Sequence, residues 1–182
     1  MVRVVRTIGS LVLLLAAALP AAPAPTPVLT PDGVLARVKR EGAPKAAEEL
    51  YASERSWTQV LRGVRAGSAA WLQVAKSLKP AQGPSAPDLT GAMADALAVA
   101  PERVLATLGH EFDADDVCSL NTLEDTLGES FSAAQRKVAA RTKAVKGVRN
   151  PKLTAVRDEC LGFLQELAAE VDRNREEWFP RP

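Results

Sequence analysis

The pair Cys118 and Cys160 constrains this chain more than any other feature, because joining them rules out the simplest helical arrangement of the residues between them. From Leu153 onward Val156, Cys160, Phe163, Leu164, Leu167 and Val171 recur every three or four positions and line one face of a helix. Cys160 therefore falls on the buried stripe. Asn150 is a good N-cap, and Pro151 suits the first helical position, where its missing N–H has no partner to lose. Upstream, Leu120, Leu123, Leu127, Phe131, Ala134, Val138, Val145 and Val148 also fall near helical spacing. One unbroken helix there, turning at Asn150, would set Cys160 opposite Ala140 and leave Cys118 roughly 33 Å away at ~1.5 Å per residue. A disulfide needs its Cα atoms within about 7 Å. Either the thiols are unpaired or the first arm folds back. Gly128, Glu129 and Ser130 offer the break, and Ser132 with Gln135 reads as a capping box opening a new helix, so the folded-back arrangement is the expectation.

Pairing also needs an oxidising compartment, and the start of the chain supplies the address. Arg3 and Arg6 precede Ile8 and the apolar run Leu11 to Leu19, too short to span a bilayer, and small residues follow. Residues 1–24 thus read as a secretory signal peptide, 25–30 as a proline-rich linker and 31–182 as a single domain. Ala22 and Ala24 give an A-x-A pattern, but Pro25 is a poor residue just after a cut, and cleavage after Ala21 fits better. The expected location is exported, periplasmic or extracellular, with no stable membrane span in the mature chain. There thiols pair and persist, and without a C-x-x-C spacing the bridge is structural, not redox-active.

At 182 residues and 47% apolar, the chain is long enough for a core of its own. Scarce aromatics, abundant alanine and helical spacing throughout favour an all-α fold. Thr30 caps a first helix with Val34, Leu35 and Val38 that Gly42 ends. A second begins at Pro44 and carries Ala47, Leu50, Trp57, Leu61 and Val64, interrupted by Glu54 with a kink near Ser53. Ser68 caps a third with Trp71, Leu72, Ala75 and Leu78. Residues 79–90, rich in proline and glycine, read as a flexible loop. Leu89, Met93, Ala96 and Leu97 form the next short helix, and Pro101 restarts another with Val104, Leu105 and Leu108.

Trp57, Val60, Leu61, Val64, Gly67, Trp71, Leu72 and Ala75, followed by Ala96, Leu97, Pro101, Val104 and Leu105, resemble the pattern of HEAT-like helical repeats in small exported bacterial proteins of unassigned function. The likeness covers about the first two thirds of the mature chain and no exact period recurs, so an irregular helical bundle fits nearly as well. It implies a curved stack of short hairpins whose faces bind protein, with no catalytic residues to carry over.

Among candidate sites, His110, Glu111, Asp113, Asp115, Asp116 and Glu124 have the look of metal chemistry, yet a calcium loop counted from Asp113 puts Val117 at the fifth position and Cys118 where the tight turn needs glycine. A single histidine makes no zinc site. The expected role is capping, Asp113 or Asp115 opening the helix that enters Val117, and no metal or cofactor is expected. Arg136, Lys137, Arg141, Lys143, Lys146 and Arg149, with Lys152, form a basic band without an acid between Ser130 and Arg157. It reads as a solvated surface, with a docking surface for an acidic partner or anionic envelope polymer as the sharper alternative. Trp57 and Trp71 read as core anchors, and Trp178 with Phe179 as a clamp or a contact surface.

Removing the leader takes away Arg3 and Arg6 and leaves 21 basic against 22 acidic residues, about −1, which argues against a nucleic-acid partner. There is no G-x-S-x-G, no H-E-x-x-H and no phosphate-binding glycine loop. The sequence thus points to a non-catalytic exported binding module for a protein partner, an inhibitor or immunity-type protein being one version. The alternative is a small cell-wall glycoside hydrolase using carboxylates such as Glu111, Glu124 or Glu129.

Overall fold

Capping chemistry sets several of the helix starts. The computed structural model describes residues 28–81, 83, 85–119 and 130–179; the expected signal peptide and the stretch with Leu120, Leu123, Glu124, Leu127, Gly128 and Glu129 lie outside the described residues. Thr30 Oγ1 accepts from the Gly33 N–H at 3.2 Å and Pro31 opens α1 (Pro31–Glu41). Gly42, at φ +85°, ends that helix and leads straight into α2 (Ala43–Tyr51), a backbone geometry that suits glycine. The single second helix expected from the sequence is two. Ser53 is extended, and its hydroxyl accepts from the Ser56 N–H at 3.3 Å to open α3 (Glu54–Arg65). Glu54, an interruption in the apolar stripe, then sits in a first turn, where a carboxylate favours the positive helix end.

After α4 (Ala69–Leu78) the structure corrects the sequence reading. Residues 79–90 hold a 3-10 turn at Lys79–Ala81 and the first half of α5 (Ser85–Ala96). Pro87 lies in the first turn of α5, where backbone N–H groups have no intrahelical acceptor, so this breaker does not break. Helix α6 (Pro101–Thr107) follows, and α7 (Ala114–Cys118) is capped by Asp113, whose Oδ1 accepts from the Asp116 N–H at 2.7 Å.

The long pair comes last, α8 (Phe131–Lys146) and α9 (Thr154–Arg173), with α10 (Arg175–Trp178) behind it. The N-cap of α8 is Ser130, whose hydroxyl accepts from the Ala133 N–H, in place of the expected Ser132. Gln135, the other half of the expected capping box, instead donates across the hairpin to Asp172 Oδ1 at 3.0 Å. Asn150 and Pro151 act as anticipated, capping a 3-10 turn at Pro151–Leu153 that runs into α9.

Among the described residues there is no strand, and the protein is all-α. Helix α3 lies on α5 and α4 on α6, while α1 reaches across to α4 and α2 packs beside α1 and α3. Between α3 and α4 the approach is close: a Cβ on Gly63 would fall inside the Trp71 indole. Trp57 is 6% exposed, and its Nε1–H donates to Asp88 Oδ2 at 2.7 Å, tying α3 to α5. The α8/α9 hairpin joins this body through α6, which touches α8, and through α7, which packs on both α5 and α9. Cys118 at the end of α7 is bonded to Cys160 in the first half of α9, with Cα atoms 5.4 Å apart and both residues fully buried. With the bridge formed, α7 lies against α9 as the folded-back arrangement expects.

Candidate functional site

The basic band of α8 divides in two once the helix is packed. Helix α8 contains no acidic residue, so its cations must look elsewhere for partners. Arg141 points into the protein, 1% exposed, and donates from Nη2 to Asp95 Oδ1 at 2.8 Å. Lys137 Nζ lies 3.3 Å from the same oxygen, and Arg65 Nε lies 3.4 Å from Asp95 Oδ2. Burial pushes the Arg141 guanidinium below its ordinary value, and the hydrogen bond and charge of Asp95 oppose that shift. Arg141 and Lys137 thus help hold the hairpin to α3 and α5 and do not belong to an open basic face. Arg136, Lys143, Lys146 and Arg149 are exposed, and no carboxylate of the described residues lies within ion-pairing distance of them.

Two of these four border a groove of about 550 Å3 that runs along the junction of α8 and α9. Val138 and Val171, both buried, and the exposed Ala139 and Ala168 give it an apolar floor; the Thr142 hydroxyl donates to the Val138 carbonyl at 2.9 Å. Lys143 and Lys146 stand at one end, and Asp172, accepting from Gln135, stands at the other. The groove is therefore apolar along its length and oppositely charged at its two ends. Arg149 lies apart, on a shallower recess with Pro101, Glu102 and Asn150, where Asn150 Nδ2 donates to Glu102 Oε1 at 2.8 Å.

The acidic cluster does not converge. Glu111 pairs with Lys76 at 3.5 Å, Asp116 with Lys79 at 3.4 Å, and Asp113 caps α7, while Glu124 and Glu129 lie outside the described residues. No group of three or more metal-ligating side chains occurs among the described residues. Asp115, Glu166 and Glu170 border a separate recess with Arg173, on the side of α9 facing α7. Trp178 and Phe179 are half-buried; Phe179 meets Phe131 edge to face at 5.8 Å, and Arg175 lies over the Phe131 ring at 4.5 Å. They clamp the end of α9 to the start of α8.

Sequence reasoning passed over Ala139, Ala168, Asp172 and Asp95. The groove exists because two small residues face each other on adjacent helices, and a missing side chain leaves no mark in a list of motifs. The one available signal was the absence of acids along α8, which required a carboxylate elsewhere for any cation that became buried. No helix of the described residues is long and apolar enough to cross a membrane. Comparison with known proteins finds no matching family model, no matching curated protein and no matching solved structure.

Proposed function

We propose that this chain is an exported, disulfide-stapled, non-catalytic binding module that docks a partner protein on the α8/α9 face. The observation that carries this reading is the groove itself: an apolar floor ending at two ammonium groups, Lys143 and Lys146, that have no acidic partner among the described residues. Grooves between paired helices are a recurrent way of holding a protein segment, with apolar anchors giving affinity and flanking charge giving selectivity and on-rate. Export follows from the leader pattern and is supported by the paired cysteines. The stacking of α3 on α5 and α4 on α6 supports the HEAT-like reading of the N-terminal helices, from which the reach of α1 to α4 departs. An inhibitor or immunity-type role against a secreted enzyme is one version of the same reading.

The test places a photo-crosslinking amino acid at exposed Ala139 and irradiates the protein with the organism's exported fraction. A cross-linked partner segment bearing acidic residues, lost at high salt and in a Lys143→Glu, Lys146→Glu variant, is the expected outcome. Cross-links that are absent, or unchanged by both treatments, would remove the groove from consideration. Among the described residues, the recess of Asp115, Glu166 and Glu170 is where a wall-polymer hydrolase would find neighbouring carboxylates; turnover of that polymer by purified protein would replace the binding reading.

A further inference from the structure

We infer that the occupant of the groove is a single amphipathic helix of the partner protein, about three turns long, lying parallel to α8 with acidic residues in its C-terminal turn. This deepens the docking reading and rests on it. Length comes first. The α8 residues along the groove run from Gln135 to Lys146, a rise of about 17 Å and so about three helical turns. Shape comes next. The groove is lined by Ala139 of α8 and Ala168 of α9, side chains too small to fill the space, so the face accepts a bulky aliphatic side chain from outside. A second copy of this chain brings no such knob on the same face, because the larger apolar residues there, Val138 and Val171, are already buried as floor.

Charge then sets direction. A helix carries partial positive charge at its N-terminus and partial negative charge at its C-terminus. Asp172 at one end of the groove favours the former, and Lys143 with Lys146 at the other end favours the latter. Since α8 also ends at Lys146, the docked helix runs with α8 and against α9. Both ends discriminate, which separates a helix from a single acyl chain: a fatty acid has one charged end and would lay hydrocarbon against Asp172.

Two hydrocarbon-stapled peptides of identical composition, acetylated and amidated, test the inference on the full chain. Both carry a leucine stripe; one has two glutamates in its last turn, the other in its first, and the staple keeps both helical. Fluorescence anisotropy is expected to show the first peptide binding at least about tenfold more tightly than the second, and Lys143→Glu, Lys146→Glu, which leaves both ends of the groove acidic, to weaken binding and abolish that preference. Ala168→Leu, at an exposed position, is expected to abolish binding of both with the circular dichroism of the fold retained. Equal binding of the two peptides would overturn the direction while leaving docking intact. Binding of neither would overturn the helix, and the photo-cross-link from Ala139 then decides separately whether any protein docks. Dodecanoate binding that depends on Lys143 and Lys146, with no peptide binding, would make this an acyl-chain site and overturn the inference.

Discussion

Asp95 shows how much one side chain can settle at the scale of a single residue. Three cations, Arg65, Lys137 and Arg141, gather on its carboxylate, and Arg141 is almost wholly out of water. An ion of that size in the interior is costly unless it is paired, and removing one partner of a buried pair is far more damaging than replacing both. Asp95→Asn is therefore expected to destabilise the protein by roughly 3 kcal/mol, toward the low end of the usual range because Asp95 itself is partly exposed. The double variant Asp95→Asn, Arg141→Met should regain most of that loss. Urea midpoints for the two single variants and the double close the cycle; additive losses would mean that the pair is not coupled.

At the scale of the element, the α3/α4 contact rests on an absence. Gly63 has no Cβ, and the Trp71 indole occupies the space one would need. Gly63→Ala should raise helix propensity yet lower stability by about 1–3 kcal/mol, because overpacking against a ring held between two helices outweighs the propensity gain. Thermal unfolding decides the sign, and an unchanged or higher midpoint would show that Trp71 moves aside freely. The elements differ in how far they could be read beforehand. Thr30, Asp113, Asn150 and Gly42 announced their helix ends because a cap depends only on residues a turn away. The helical start at residues 85–90 is hidden because proline and glycine counts carry no position, and Pro87 is harmless in a first turn. Ser132 was named as a cap where Ser130 serves, since two serines two residues apart satisfy nearly the same pattern. The inward turn of Arg141 was hidden altogether, because it depends on a carboxylate 46 residues away. The groove was hidden for the related reason that Ala139 and Ala168 meet only through the hairpin.

For the whole molecule the bridge from Cys118 to Cys160 decides how the hairpin is held. It joins α9 to α7, and α7 in turn packs on α5, so the covalent link supplements the contacts of α6 and the Asp95 cluster. Closing a loop with a sequence separation of 42 stabilises by about 4 kcal/mol in the chain-entropy model. Cys160→Ser should lose about that much under oxidising conditions, and wild type in reductant should match it. Equal urea midpoints for oxidised wild type and variant would overturn the assignment of a stabilising role.

The bridge also routes mechanical load. Pulled from its two ends, the chain would transmit force through the N-terminal helices to Cys118, across the sulfurs to Cys160 and out along α9, leaving all of α8 on a slack side branch. Reduction would release that branch as about 140 Å of extra contour length at ~3.4 Å per residue. The α8 wall of the groove, with Lys143 and Lys146, is thereby shielded from tension on the molecule that carries it.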